Sequence, residues 1–163
     1  MNTLVIDAST YVGTTALLRG SRLIADGQAA MRGRDTEALL PMVADTLGRG
    51  GVRPRDLTRV VCGAGPGSFT SLRIAASIAK GIALGIGVPL FAVSSLALLA
   101  GGDGSPAPGA YLAVLDALRG EAYVGGYALS ARGEVSVILA ERLVRQTEIA
   151  ELAGSLGAIP VGP

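Results

Sequence analysis

The sequence predicts an α/β protein of two lobes, each opening on a three-stranded antiparallel meander that leads into a helix. Three observations carry that expectation. Short apolar runs separated by turn residues recur at the head of both halves. A stretch rich in Gly, Pro, Asp and Ser, residues 101–109, separates them. A long alanine-rich amphipathic helix follows a glycine loop in the first half. Lobes are therefore expected at 1–100 and 110–163, the first around a mixed five-stranded sheet.

Thr3 to Asp7, Thr14 to Leu18 and Arg22 to Ala25 read as strands, with turns at Tyr11-Val12-Gly13 and Arg19-Gly20-Ser21. Asp35 or Thr36 supplies an N-cap for a helix whose Leu39, Leu40, Val43 and Leu47 recur at helical spacing. Gly48 to Gly51 end that helix, and Pro41 must kink or restart it. Val60-Val61-Cys62 reads as a buried strand running into Gly63 to Ser68. The helix from Phe69 to Gly85 then places Leu72, Ala75, Ala76, Ala79, Ile82 and Ala83 on one face and leaves only a narrow polar strip of Arg73, Ser77 and Lys80. So wide an apolar surface needs cover on two sides, either from the preceding helix or from another protein. Val88 to Val93 gives a further strand and Ser94 to Leu99 a short helix. Beyond the linker, Tyr111 to Leu115, Ala122 to Leu129 and Val135 to Leu139 read as strands, and a helix starting near Thr147 carries Ile149, Leu152 and Leu156.

Composition limits the chemistry. Fourteen Lys and Arg stand against 13 Asp and Glu, a formal net charge of +1, so no strong overall field draws polyanions. There is no histidine, which excludes from these residues a Ser-His-Asp or Cys-His nucleophile, a histidine base and a His-ligated zinc. The single cysteine, Cys62, forms no internal disulfide and fits a reduced cytoplasm. Gly81 to Gly102 carries no charge over a length that would span a bilayer, but Gly85, Gly87 and Pro89 break it, so no membrane span is expected. No basic residue precedes Arg19, which disfavours a secretory signal.

Two features hold candidate chemistry. Gly65, Gly67 and Ser68 lie in a loop between a strand and a helix, a place where backbone N–H groups collect anions. The Walker pattern fails there, because Ser68-Phe69-Thr70 stands where Gly-Lys-Ser/Thr is needed, and a sharp close-packed turn explains the glycines equally well. Asp7 and Thr10, at the end of the first strand, and Asp116, at the matching place in the second half, suit magnesium and nucleotide phosphates; they also suit ordinary turns. An ATP-dependent phosphotransferase would use these residues.

The segment Gly65-Pro66-Gly67-Ser68-Phe69-Thr70-Ser71-Leu72-Arg73-Ile74 resembles the signature of the bacterial TsaB (YeaZ) family, once labelled glycoprotease-like. Leu4 to Thr10, Leu39-Leu40-Pro41-Met42-Val43 and Asp116 to Tyr123 agree in order. The resemblance implies an actin/sugar-kinase/Hsp70-like (ribonuclease H-like) fold. It further implies a non-catalytic scaffold that pairs with the catalytic protein TsaD, and with the ATPase TsaE, in threonylcarbamoylation of adenosine 37 of tRNA. The family continues past the residue that stands here as Pro163, so an incomplete second lobe is expected, looser than the first and cleaved first at its linker. Partner contacts are expected from Leu39, Leu40, Met42 and Val43 on one helix and Leu72, Arg73, Ala76, Ser77 and Lys80 on the next. The same patch would support a homodimer in the partner's absence. No tightly bound cofactor is expected, with Mg-ATP entering at the level of the complex. Arg32, Arg34, Arg49, Arg53, Arg55 and Arg59 are diluted by Asp35, Glu37, Asp45 and Asp56, so tRNA is expected to be met only through the complex.

Overall fold

A computed structural model describes residues 1–31, 38–102 and 107–163. The chain divides into two compact units, Met1–Val93 and Ser94–Pro163.

The first unit holds β1 (Asn2–Asp7), β2 (Val12–Arg19), β3 (Arg22–Ala30), α1 (Leu39–Arg49), β4 (Arg59–Gly63), α2 (Phe69–Ile86) and β5 (Leu90–Val93). The strand order is β3-β2-β1-β4-β5. β1, β2 and β3 pair antiparallel, while β4 runs parallel to β1 and β5 parallel to β4. The sheet is thus mixed and five-stranded, as expected. Its core gathers Leu4 and Ile6 of β1, Leu17 of β2 and Val60 and Cys62 of β4 beneath Leu39, Val43 and Leu47 of α1 and Ala75, Ala79 and Ala83 of α2.

Several boundaries differ from the sequence reading for identifiable reasons. β2 takes in Val12 and Gly13, and β3 continues to Ala30 through Gly27. Both glycines hide a strand pattern because a side chain is excluded there. A Cβ on Gly13 would lie 2.8 Å from Met31 Sδ, and one on Gly27 would lie 2.8 Å from Thr46 Oγ1. α1 has Ala38 at its N-cap position with no side-chain cap bond, and the expected caps Asp35 and Thr36 lie outside the described residues. Pro41 sits in the first turn, where its missing N–H leaves no helical bond unmade, so of the kink or restart expected of it the structure has a helix start.

The second unit holds α3 (Ser95–Ala100), β6 (Gly109–Leu118), β7 (Glu121–Leu129), β8 (Val135–Arg145), α4 (Ile149–Leu156) and β9 (Ile159–Val161), with strand order β8-β7-β6-β9. α3 was expected in the first lobe. It belongs instead with the second sheet, because Leu96 and Ala100 bury against Tyr111, Ala113, Tyr127 and Leu129 of β6 and β7. Ser94 starts it by accepting from the Leu96 and Ala97 amides at 3.1 and 3.2 Å. α4 covers the other face, where Ala153 packs with Leu112 and Val124. Of the expected linker, residues 103–106 lie outside the described residues. The uncharged stretch from Gly81 to Gly102 is broken into a helix end, a turn, β5 and α3. α2 itself is long and apolar enough to cross a membrane by length and composition, but it lays one face on β4 and β1.

Candidate functional site

The glycine loop and the β1–β2 turn come together. β4 hands over to the loop with the Ala64 amide donating to Val93 O at 2.8 Å, and the Gly65–Pro66 peptide is cis. The Ser68 amide donates to Ser9 O at 2.8 Å. Gly67, at φ +154, lies so close that any Cβ there would collide with the Ser9 backbone. Across from it, Asp7 Oδ2 accepts from Ser9 N at 3.0 Å and Ser9 Oγ at 2.7 Å. Thr10 Oγ1 donates to Val12 O at 2.8 Å and accepts from Val12 N at 3.1 Å.

These contacts test the phosphate reading of Asp7, Thr10, Gly65, Gly67 and Ser68. The Ser68 amide that would face an anion is bonded to Ser9, both hydroxyls of the turn are turned to local partners, and the loop closes on the turn where a phosphate would need room. The residues do not fit a nucleotide phosphate in this arrangement. Asp116 belongs to the second unit, where its Oδ1 accepts from Leu118 N at 2.8 Å and from Gln146 Nε2 at 3.2 Å. It serves the β6–β7 hairpin, whose Leu118 and Arg119 have positive φ. Among the described residues, no group of three Asp, Glu, Cys or His is placed to hold a metal.

Among the described residues, Cys62 in the first unit and Tyr127 in the second are acids held above their ordinary values. Burial pushes the Cys62 thiol up to about 11, with the charge of Asp7 adding to it. Burial also pushes Tyr127 up to about 12; its bond from Ser94 opposes the rise and its bond to Glu141 Oε1, at 2.7 Å, adds to it. A raised acid holds its proton in the fold and releases it more readily when unfolded, so its stabilisation is complete below the unfolded value and lost as pH rises through the folded one. The melting temperature is therefore expected to hold up to about pH 8.5 and then fall as pH rises from about 9 through 12, and Cys62→Ala should lessen the fall. A melting temperature level to pH 11 would contradict this.

The rest of the site is a helix face. α2 starts directly from the loop and ends at Gly87, in the left-handed region at φ 72, whose amide donates to Ala83 O. Ser71, Ala75, Ala79 and Ala83 recur every fourth residue and are buried, so the helix sits close on the sheet. The opposite ridge is open: Phe69 is 67% exposed and Leu84 78%, with Arg73, Ser77 and Lys80 exposed between them. The Arg73 guanidinium lies 3.9 Å from the Phe69 ring centroid, a cation–π contact that holds the ring in place at the surface. Leu72 and Ala76 are half-buried beside this ridge. On α1, Leu39, Met42 and Val43, which the sequence reading gave to a partner, are in the core; Leu40 alone of that group faces solvent, 55% exposed. Phe69 and Leu84 were missed as surface residues, although both fall on the helical strip that runs through Arg73, Ser77 and Lys80 and could have been assigned to it.

Residues 32–159 match the family model described as TsaD, tRNA N6-adenosine threonylcarbamoyltransferase. The Escherichia coli (strain K12) tRNA threonylcarbamoyladenosine biosynthesis protein TsaB is 32% identical over 171 residues, covering 99% of this chain and 72% of that protein. The chain belongs to the TsaB family. TsaB of Bacillus subtilis (strain 168) is 36% identical over 127 residues, 78% of this chain and 55% of that protein, so the chain matches little more than half of that relative's length. The structure of YeaZ from Pseudomonas aeruginosa superposes with a TM-score of 0.77 at 32% identity over 88% of this chain and 67% of that one. The ROK hexokinase of Thermus thermophilus, at TM-score 0.51 and 21% identity, shares the fold alone. The segment from Gly65 to Ile74, on which the resemblance to TsaB rested, is thus the loop that locks onto Ser9 together with the first turns of the exposed helix.

Proposed function

We propose that this TsaB-family chain is a non-catalytic scaffold that binds and supports a TsaD-like catalytic protein in the threonylcarbamoylation of adenosine 37 of tRNA. The open ridge of α2 carries the reading. It is a face bounded by two exposed apolar side chains, Phe69 and Leu84, with two cations between them, and α2 contains no acidic residue. Leu40 of α1 extends the apolar surface. Interface energy concentrates in a few anchors, among which aromatic side chains and arginine stand out, and the stacked Phe69–Arg73 pair supplies one of each kind. A TsaE-like ATPase joins at the level of the complex and brings Mg-ATP there, and in the absence of partners the ridge pairs with a second copy of itself.

The test is co-elution of the purified chain with a TsaD-like protein from the same organism. Leu84→Asp should weaken pairing at least tenfold while leaving the melting temperature within about 2 °C, because the side chain makes little contact inside the fold. Pairing by the variant at full strength would remove the ridge from the interface, and no pairing by the parent chain would remove the function.

A further inference from the structure

The arginines that look scattered along the sequence are gathered by the fold at one end of the first sheet. Arg19 ends β2 and pairs in register with Arg22 at the start of β3 and with Asn2 at the start of β1. Arg59 opens β4 opposite Thr3, to which its Nε donates at 2.8 Å. The 3-10 turn Pro54–Asp56 is tied to the same end, since Asn2 Nδ2 donates to Asp56 O at 3.0 Å and the Thr58 amide donates to Asn2 O at 2.9 Å. That turn carries Arg55 and is flanked by Arg53. With neighbouring strands about 4.8 Å apart, Arg22 and Arg59 stand roughly 14 Å from one another across three strand gaps.

Five arginines therefore share this end, and Asp56 is the one carboxylate among its described residues. Asp56 is already engaged by Arg53, at 2.8 and 3.0 Å, which holds its carboxyl below the usual range. Arg19, Arg22 and Arg55 are exposed and make no ion pair among the described residues. Its five arginines against one aspartate give this end a formal charge of +4, larger than the +1 of the whole chain.

We propose that this end of the sheet binds the phosphodiester backbone of RNA. The proposal rests on the tRNA-modification reading above and replaces the expectation that tRNA is met only through the complex. Guanidinium forks suit phosphate oxygens, and the exposed Ser21 hydroxyl, in the turn between Arg19 and Arg22, adds a neutral donor of the kind that accompanies arginine at such backbones. A protein partner would instead be expected at a patch with an apolar centre and few charges. The contact is independent of base sequence and sensitive to salt.

Fluorescence anisotropy of the full chain with an unmodified tRNA transcript, across a series of salt concentrations, tests it. Arg19→Ala, Arg22→Ala and Arg55→Ala combined should weaken binding at least tenfold and reduce the slope of log K against log salt by about 2. A charge-matched variant of the second unit, Arg132→Ala, Arg142→Ala and Arg145→Ala combined, should keep both affinity and slope. Equal losses in the two variants, no binding by the parent chain at about 50 mM salt, or competition by polyglutamate as strong as by tRNA would each overturn the proposal. Co-elution of the same arginine variant with the TsaD-like protein separates the two readings: pairing retained with tRNA binding unchanged refutes only the RNA surface, and pairing absent even in the parent chain refutes the scaffold function.

Discussion

Gly67→Val is expected to lower the melting temperature by about 10 °C. Two costs combine. The backbone at φ +154 is a region that L-residues rarely adopt, and the new Cβ would occupy the space of the Ser9 backbone. Neither clash can be relieved by rotating a side chain, because the obstacle is main chain. The loop would have to leave Ser9, breaking the Ser68-to-Ser9 bond and freeing the start of α2. A loss of about 3 kcal/mol follows, and for a chain of this size each kcal/mol is worth about 3 °C. Gly20→Ala is the control: its φ is +65 but nothing lies within 4 Å, so it should cost only about 1 kcal/mol. Differential scanning calorimetry of the two variants decides the matter, and a Gly67→Val protein melting within 2 °C of the parent would show that the loop is not packed as described.

Ala79→Phe should cost about 3 kcal/mol as well, through overpacking. Ala79 is fully buried where α2 lies on the sheet, and alanine at every fourth position lets the helix approach β4 and β1 closely. An aromatic ring in that seam must push the helix outward. The expected result is a double loss: a lower melting temperature, and weaker pairing with the TsaD-like partner because the ridge from Phe69 to Leu84 moves with the helix. Leu84→Asp should affect pairing alone, so the two variants separate the position of the ridge from its surface chemistry. Pairing by Ala79→Phe at full strength, with the lower melting temperature observed, would show that the ridge is not the contact.

What the sequence made legible follows from the range of the interactions involved. The meanders, the two long helices and the glycine loop are written in local alternation and periodicity, and the structure has all of them. Positions decided by a neighbour distant in the chain were hidden. Gly13 looks like a turn residue and Gly27 falls past the expected end of its strand, yet both are strand residues, under Met31 and Thr46. The loop's glycines suit an anion and a tight turn equally, and only the contact of Gly67 with Ser9, 58 positions earlier, separates these readings. Leu39, Met42 and Val43 look like the partner face of an amphipathic helix, but an apolar stripe does not state whether it meets its own sheet or another protein. The arginines at 19 and 22 seem remote from those at 53, 55 and 59 until β1 and β4 pair in parallel and bring their starting ends together.

β8 sets a practical limit on handling the protein. It is eleven residues long, pairs among the described residues with β7 alone, and leaves Val135, Val137, Ile138 and Leu143 exposed. From Val135 to Ala140 the strand carries neither charge nor proline, the composition from which cross-β stacking between molecules starts. Glu141 and Arg142 interrupt the run directly afterwards and confine the sticky segment to six residues. Turbidity on warming or concentrating the chain should therefore begin at this strand, and Val137→Lys is the single change that would raise its working concentration most.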